Sequence, residues 1–167
     1  ANNEAAVFYE RALQSAGRLD RVERSDRARV LTDLARVQHE AGSYEESRTS
    51  LRQAIRLVRD DPIPTADLRL ALARSYHRTG ELSQALRETA LGLRLVEGDD
   101  VPEAQRGTAR LRAVRAGLLS DQFRPRMALK VGLQAVAEAE SSGELDALAR
   151  AYTKIDEAYQ TLGRRDE

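Results

Sequence analysis

The chain has 167 residues, with 27 basic and 27 acidic side chains and no cysteine. That length buries a sizeable core in one domain, and the missing thiols exclude disulfide frameworks and thiolate zinc sites, a composition suited to a reducing cytoplasm. Balanced charge argues against a general polyanion binder or a DNA-reading array, and no run approaches the roughly 20 apolar residues that span a bilayer.

The start, Ala1-Asn2-Asn3-Glu4, carries neither methionine nor a basic-then-apolar leader, and reads as the cut edge of a longer protein. Residues of about 3 to 16 form the first helix, with Ala5, Tyr9 and Ala12 on one face. From Asp26 to Ala41, Val30, Leu34, Val37 and Ala41 make an apolar stripe at helical period. Gly42 ends that helix, because glycine tolerates the left-handed backbone that satisfies the last carbonyls. Ser43 is placed to cap a second helix, about Tyr44 to Arg59, with Leu51, Ala54, Ile55 and Val58 on its apolar face. Asp61-Pro62-Ile63-Pro64 stops it.

The order then repeats. Leu68, Leu72, Ala73 and Tyr76 mark a helix, Gly80-Glu81 a turn, and Leu82, Ala85, Leu86 and Leu93 a second helix closed at Gly98 to Pro102. A third pair places Leu111, Val114 and Leu118 before a turn over 120–125, and Ala128, Val131 and Ala135 after it. A last helix runs from about Glu144 to Leu162, with Tyr152, Ile155 and Tyr159.

An offset of 38 residues superimposes the second unit on the first. Leu34, Ala35, Arg36, His39 and Gly42 recur as Leu72, Ala73, Arg74, His77 and Gly80; Arg56-Leu57-Val58, Asp61 and Pro64 recur as Arg94-Leu95-Val96, Asp99 and Pro102. Self-similarity at such a period marks stacked architectures, in which each unit buries its apolar face only against its neighbours. Small residues such as Ala35, Ala73 and Ala85 fall where paired helices approach most closely. Gly92 and Gly132 are expected at close backbone contacts.

The run Leu34-Ala35, Gly42-x-Tyr44, Ser47, Leu51, Ala54 and its counterpart Leu72-Ala73, Tyr76, Gly80-x-Leu82, Ala85 resembles the tetratricopeptide repeat. The resemblance implies an all-α fold, a right-handed α-solenoid of antiparallel helix pairs with about eight helices. Residues 1–167 then form one repeat domain: a half repeat at 3–16, repeats at 26–59, 64–97 and 103–140, and a half repeat at 144–162. The period exceeds the family's about 34 residues, and the aromatic near each unit's start is missing. Longer periods look similar to the repeat regions of large bacterial regulators, where a nucleotide-binding switch domain and a DNA-binding or cyclase output domain flank the solenoid.

In that family the first helix of each pair lines the concave face, so the resemblance assigns partner contacts to Arg29, Thr32, Arg36 and His39 on one helix and to Asp67, Leu70, Arg74, His77 and Arg78 on the next, with Glu40 beside them. Arginines there suit a carboxylate or phosphate, because guanidinium presents a planar fork of donors. The competing assignment is a solvated face with internal pairs such as Arg36 to Glu40. The lysine–asparagine clamp of the chaperone-binding subset has no counterpart at the matching places.

His39 and His77 occupy equivalent positions, but without cysteine or an evident third ligand they favour a pH-sensitive groove over a metal site. Phosphate loops, nucleophile elbows and HExxH are absent. Glu45-Glu46 and Asp99-Asp100 suit helix starts and turns, and the five tyrosines suit packing.

The expectation is a non-catalytic scaffold for a protein or peptide segment, which includes another domain of the same chain. It needs no cofactor, no nucleic acid and no membrane, and its end helices leave faces suited to a dimer. The alternative is a sensor of a small anionic effector that controls an attached ATPase, DNA-binding or cyclase domain.

Overall fold

The structure, a computed structural model, describes residues 2–16 and 23–163. Among the described residues it is entirely helical: α1 (Asn2–Ala16), α2 (Arg24–Glu40), α3 (Tyr44–Val58), α4 (Pro62–Arg78), α5 (Leu82–Val96), α6 (Pro102–Asp121), α7 (Pro125–Ser142) and α8 (Leu145–Thr161). Helices α2 and α3, α4 and α5, and α6 and α7 pack as hairpins, α1 lies against α2, and α8 lies against α7 and α6. Each hairpin also packs on the next, through α3 with α4 and α5 with α6. None of the helices is long and apolar enough to cross a membrane.

Turn chemistry sets the hairpins. Gly42 and Gly80 adopt φ values of +82° and +78°. In both turns the residue after glycine donates its N–H back to the helix, Ser43 to the Gln38 carbonyl and Glu81 to that of Tyr76, each at 2.9 Å. The turn from α6 to α7 has the same bonds, with Phe123 donating to Ser120 and Arg124 to Leu119 at 2.9 Å. Its left-handed residue is Phe123, at φ +55°.

Two local expectations need correction. Ser43 starts α3 without a side-chain capping bond, because its φ of −79° and ψ of 65° depart from the extended geometry that aims a serine oxygen at the first free amides. The prolines at 62 and 102 open α4 and α6. Helix α3 ends earlier, at Val58, and proline suits a first turn because the missing N–H has no intrahelical partner there. The second and third pairs therefore begin at Pro62 and Pro102 instead of at 64 and 103.

The core is a chain of seams. Ala28, Leu31, Ala35, Leu51, Ala54, Leu68 and Leu72 fill the first, and Ala66, Leu70, Leu93, Val96, Ala104 and Leu111 the second. The seam of α6, α7 and α8 is built from Ala109, Ala113, Ala135, Ala139, Ala147 and Ala151, which brings those helices close. Ala35, Ala73 and Ala85 are fully buried, as the small-residue pattern implies. A Cβ on Gly92 would lie 2.9 Å from Leu111 Cδ2, and one on Gly132 2.9 Å from Ile155 Cγ1, so both glycines mark close approaches.

Polar groups in the seams of the first two hairpins are partnered. Ser47 Oγ donates to the Ala35 carbonyl at 2.7 Å, and Ser50 Oγ bonds Gln38 Oε1 at 2.9 Å. Arg48 is buried, with its guanidinium 4.7 Å from the Tyr76 ring centre and hydrogen-bonded to Glu45, Thr79 and Glu81. Tyr44 stands edge-on to His39, and Tyr9 and Tyr159 are half-buried. Tyr152, also expected in the packing, is 51% exposed, with its hydroxyl on Glu140.

Candidate functional site

Helices α2, α4, α6 and α8 supply the walls of a groove. A hollow of about 360 Å³ lies between α2 and α4, rimmed by Thr32, Arg36, His39 and Arg74. Its floor is Ala35, Leu51 and Ala71. A second hollow, of about 390 Å³, shares His39 and Arg74 with the first and extends across α6 to α8. There Arg74 and Arg78, one turn apart on α4, line it together with Arg150 and Lys154, one turn apart on α8. Ala113, Val114 and Gly117 of α6 make the floor between these two cationic rows.

Position in the repeat explains this floor. Counted back six places from the left-handed turn residues Gly42, Gly80 and Phe123, Gly117 stands where Arg36 and Arg74 stand in the earlier units, and Val114 lies one turn before it. Small uncharged residues on the middle helix leave the flanking arginines open to the groove. Gly117 also seats the lysine stem, since a Cβ there would meet Lys154 Cε at 3.5 Å.

The charges are unevenly compensated. Lys154 Nζ lies 2.8 Å from Glu157, and His77 Nε2 2.6 Å from Asp121 Oδ2. Arg110 contacts Asp67 at 3.3 Å and Glu144 at 3.9 Å. Arg74, Arg78 and Arg150 have no carboxylate within ion-pair distance among the described residues. Although Arg74 is open to solvent, the groove walls take away part of its hydration, and that loss, followed by repulsion from Arg150 and Arg110, lowers its pKa. Burial and then Arg78 likewise hold His39 below its ordinary value, against an opposing pull from Glu40. Desolvation raises Asp67, against Arg110.

The candidate residues therefore separate. Thr32, Arg36 and His39 line the first hollow, and Arg74, His77 and Arg78 the second. Arg36 is held by Glu40 at 3.2 Å, the internal pair its spacing implies. Arg29 lines neither hollow and pairs with Asp26 at 3.1 Å, and Asp67 faces Arg110. Leu70 corrects the expected groove: it is only 4% exposed and sits in the core of α4, α5 and α6. Because α4 packs against α3, α5 and α6, its apolar arc is wider than a single stripe and takes in Leu70.

Arg150 and Lys154 were absent from the expected set. The signal for them exists: counting two and six places from Leu148-Ala149 gives Arg150 and Lys154, the spacing that gives Arg36 and Glu40 from Leu34. Among the described residues, no group of three or more His, Cys, Asp or Glu is arranged to hold a metal ion.

No protein-family model matches the sequence, and no curated protein is similar to it at a significant level. Solved structures match the fold. Aspartyl phosphate phosphatase F from Bacillus subtilis superimposes with a TM-score of 0.81 at 17% identity, over 95% of this chain and 41% of that one. BtubC (BKLC) from P. vanneervenii gives 0.78 at 17% identity over 99% and 69% of the two chains, and MamA gives 0.71 at 16% over 99% and 81%. This chain thus spans about two fifths of the phosphatase's length. The fold is a tetratricopeptide-type helical solenoid.

Proposed function

We propose that this chain is a non-catalytic protein-interaction scaffold whose groove holds an extended acidic segment of a partner. The observation that carries the reading is the triad Arg74, Arg78 and Arg150, guanidiniums on two walls of one hollow with no carboxylate within ion-pair distance among the described residues, although Asp67 and Asp146 lie near enough to draw on Arg74. Guanidinium groups in a partly dehydrated groove bind carboxylates through charge-assisted forks. The two hollows run into each other through His39 and Arg74, which suits a strand of residues better than one enclosed metabolite. Lengthened repeats support a place beside switch and output domains in a larger cytoplasmic bacterial regulator.

A labelled poly-glutamate peptide serves as the probe, followed by fluorescence anisotropy at low salt. Binding should weaken as salt rises and disappear in Arg74→Glu/Arg150→Glu, while a poly-lysine peptide stays unbound. Equal poly-glutamate binding by the parent and the double variant would remove the groove from the proposal. Pyrophosphate that saturates the hollow and displaces the peptide at low concentration would instead favour the effector-sensing alternative.

A further inference from the structure

Phe123 breaks the rule that the other hairpin turns obey. Gly42, Gly80 and Gly143 hold the left-handed position between paired or neighbouring helices, and Phe123 alone among the described non-glycine residues has a positive φ. A bulky side chain there is strained, because its Cβ crowds the following carbonyl. The backbone gains the turn's hydrogen bonds, as glycine would, but the ring is 90% exposed at the edge of a shallow hollow with Pro125 and Glu157, the highest exposure among the exposed large hydrophobics. Strain held at an exposed aromatic points to a contact outside the fold.

The surroundings define that contact. Met127 is 42% exposed beside the turn, and Arg124 donates to its sulfur at 2.7 Å. Arg124, Arg126 and Lys130, in the turn and the first two turns of α7, have no carboxylate within ion-pair distance among the described residues, so a cationic collar follows the ring along the chain. Its counterpart is present at the other end of the chain. A hollow of about 440 Å³ between α1, α2 and α3 is lined by Leu13, Leu31 and Leu34 among polar side chains that include Glu10, Glu46 and the arginine-paired Glu45. Neither Glu10 nor Glu46 has an ion pair among the described residues. The cationic groove is excluded as the receptor, because its arginines would repel the collar.

We propose that Phe123 of one copy inserts into the α1–α2–α3 hollow of a second copy, with Arg126 and Lys130 facing Glu10 and Glu46. The patch and its receptor are different surfaces, so the contact is head-to-tail, and copies add in series unless the rotation closes a ring.

Analytical ultracentrifugation of the chain from micromolar to millimolar concentration tests this. The weight-average mass should rise with concentration and stay monomeric in Phe123→Gly, which should melt no lower than the parent because glycine relieves the turn. Glu10→Lys/Glu46→Lys should also stay monomeric, as should Arg126→Glu/Lys130→Glu. Mixing those two charge-reversed proteins should restore a complex, an outcome that loss of folding cannot mimic. A monomeric parent throughout the range would overturn the proposal, as would association that survives Phe123→Gly. So would a lowered melting temperature in that variant, which would show the ring serving its own fold. Phe123-dependent binding to phosphatidylserine vesicles by a strictly monomeric parent would assign the aromatic to a lipid surface and overturn it as well.

Discussion

Arg48 sits over Tyr76, its guanidinium carbon 4.7 Å from the ring centre, and joins the first helical hairpin to the second. The same side chain reaches Glu81 at 2.7 Å and Thr79 at 3.0 Å, while Arg52 donates to the Tyr76 hydroxyl at 2.6 Å. Only 7% of the Arg48 side chain is exposed, so its stem packs as a hydrophobe and its head is fully engaged. Arg48→Ala should lower unfolding free energy by about 2–3 kcal/mol through lost packing and charge-assisted bonds. A double-mutant cycle with Tyr76→Leu should leave a coupling of about 1 kcal/mol. Urea titration of the four proteins measures both, and strict additivity would show that the ring contact is passive.

Glycine substitutions in the buried helix faces should differ in sign. At Gly92 a methyl group would meet Leu111 Cδ2 at 2.9 Å and Cδ1 at 3.1 Å, with the Ala66 carbonyl at 3.6 Å behind, and Leu111 is itself buried. Gly92→Ala should destabilise by about 1–2 kcal/mol, overpacking outweighing the helix preference of alanine. At Gly107 the added Cβ would meet only Val96 Cγ2, at an ordinary 3.9 Å. Gly107→Ala should therefore stabilise by about 0.5–1 kcal/mol. Thermal melts of the two variants should move in opposite directions.

Arg112 bridges two carboxylates, Glu97 before α6 and Glu138 on α7. Arg112 meets Oε1 of Glu138, while Oε2 has no hydrogen-bond partner and is shielded from solvent. Removing the cation strands that carboxylate, so Arg112→Ala should cost about 2–4 kcal/mol. Adding Glu138→Gln to Arg112→Ala should recover part of that loss, because a neutral amide is cheaper to leave half-buried. Denaturant midpoints that fall further in the double variant would contradict this account.

The pH dependence has a definite direction at His39. Its folded-state pKa lies below the ordinary value of about 6.5, so above that value the ring is neutral in both states and stability is unaffected. As pH falls below it, the unfolded chain takes up a proton first, and stability declines until the folded pKa is reached. His39→Gln should flatten that part of the profile, measured by denaturation between pH 7 and pH 5. An acidic peptide in the groove should raise the His39 pKa and draw in protons, so its affinity should strengthen over the same fall in pH.

Local backbone chemistry and periodicity were legible from residue order alone. Gly42 and Gly80 announced their turns because a left-handed residue is a one-position requirement, and the recurrence of Leu34-Ala35 as Leu72-Ala73 exposed the repeat. Features set by distant partners were not legible. Arg48 meets Thr79 and Glu81, 31 and 33 residues away, and no local pattern marks it as a seam residue. Leu70 was misplaced because the rule used for inner residues assumes a helix with one buried side, whereas α4 is packed on several. Phe123 was hidden inside a turn of otherwise ordinary composition, since strain is visible only once φ is known.

Each of the three junctions from the first hairpin to α8 carries its own polar lock. Arg48 reads Thr79 and Glu81, Arg115 reads the Leu86 carbonyl and Thr89, and Ser120 reads Glu157. Hairpins so keyed are not interchangeable modules: transposing two of them would leave a buried guanidinium facing a strange neighbour. The sequence order of the units is thus written into the solenoid itself, and with it the fixed order in which the groove offers its charges.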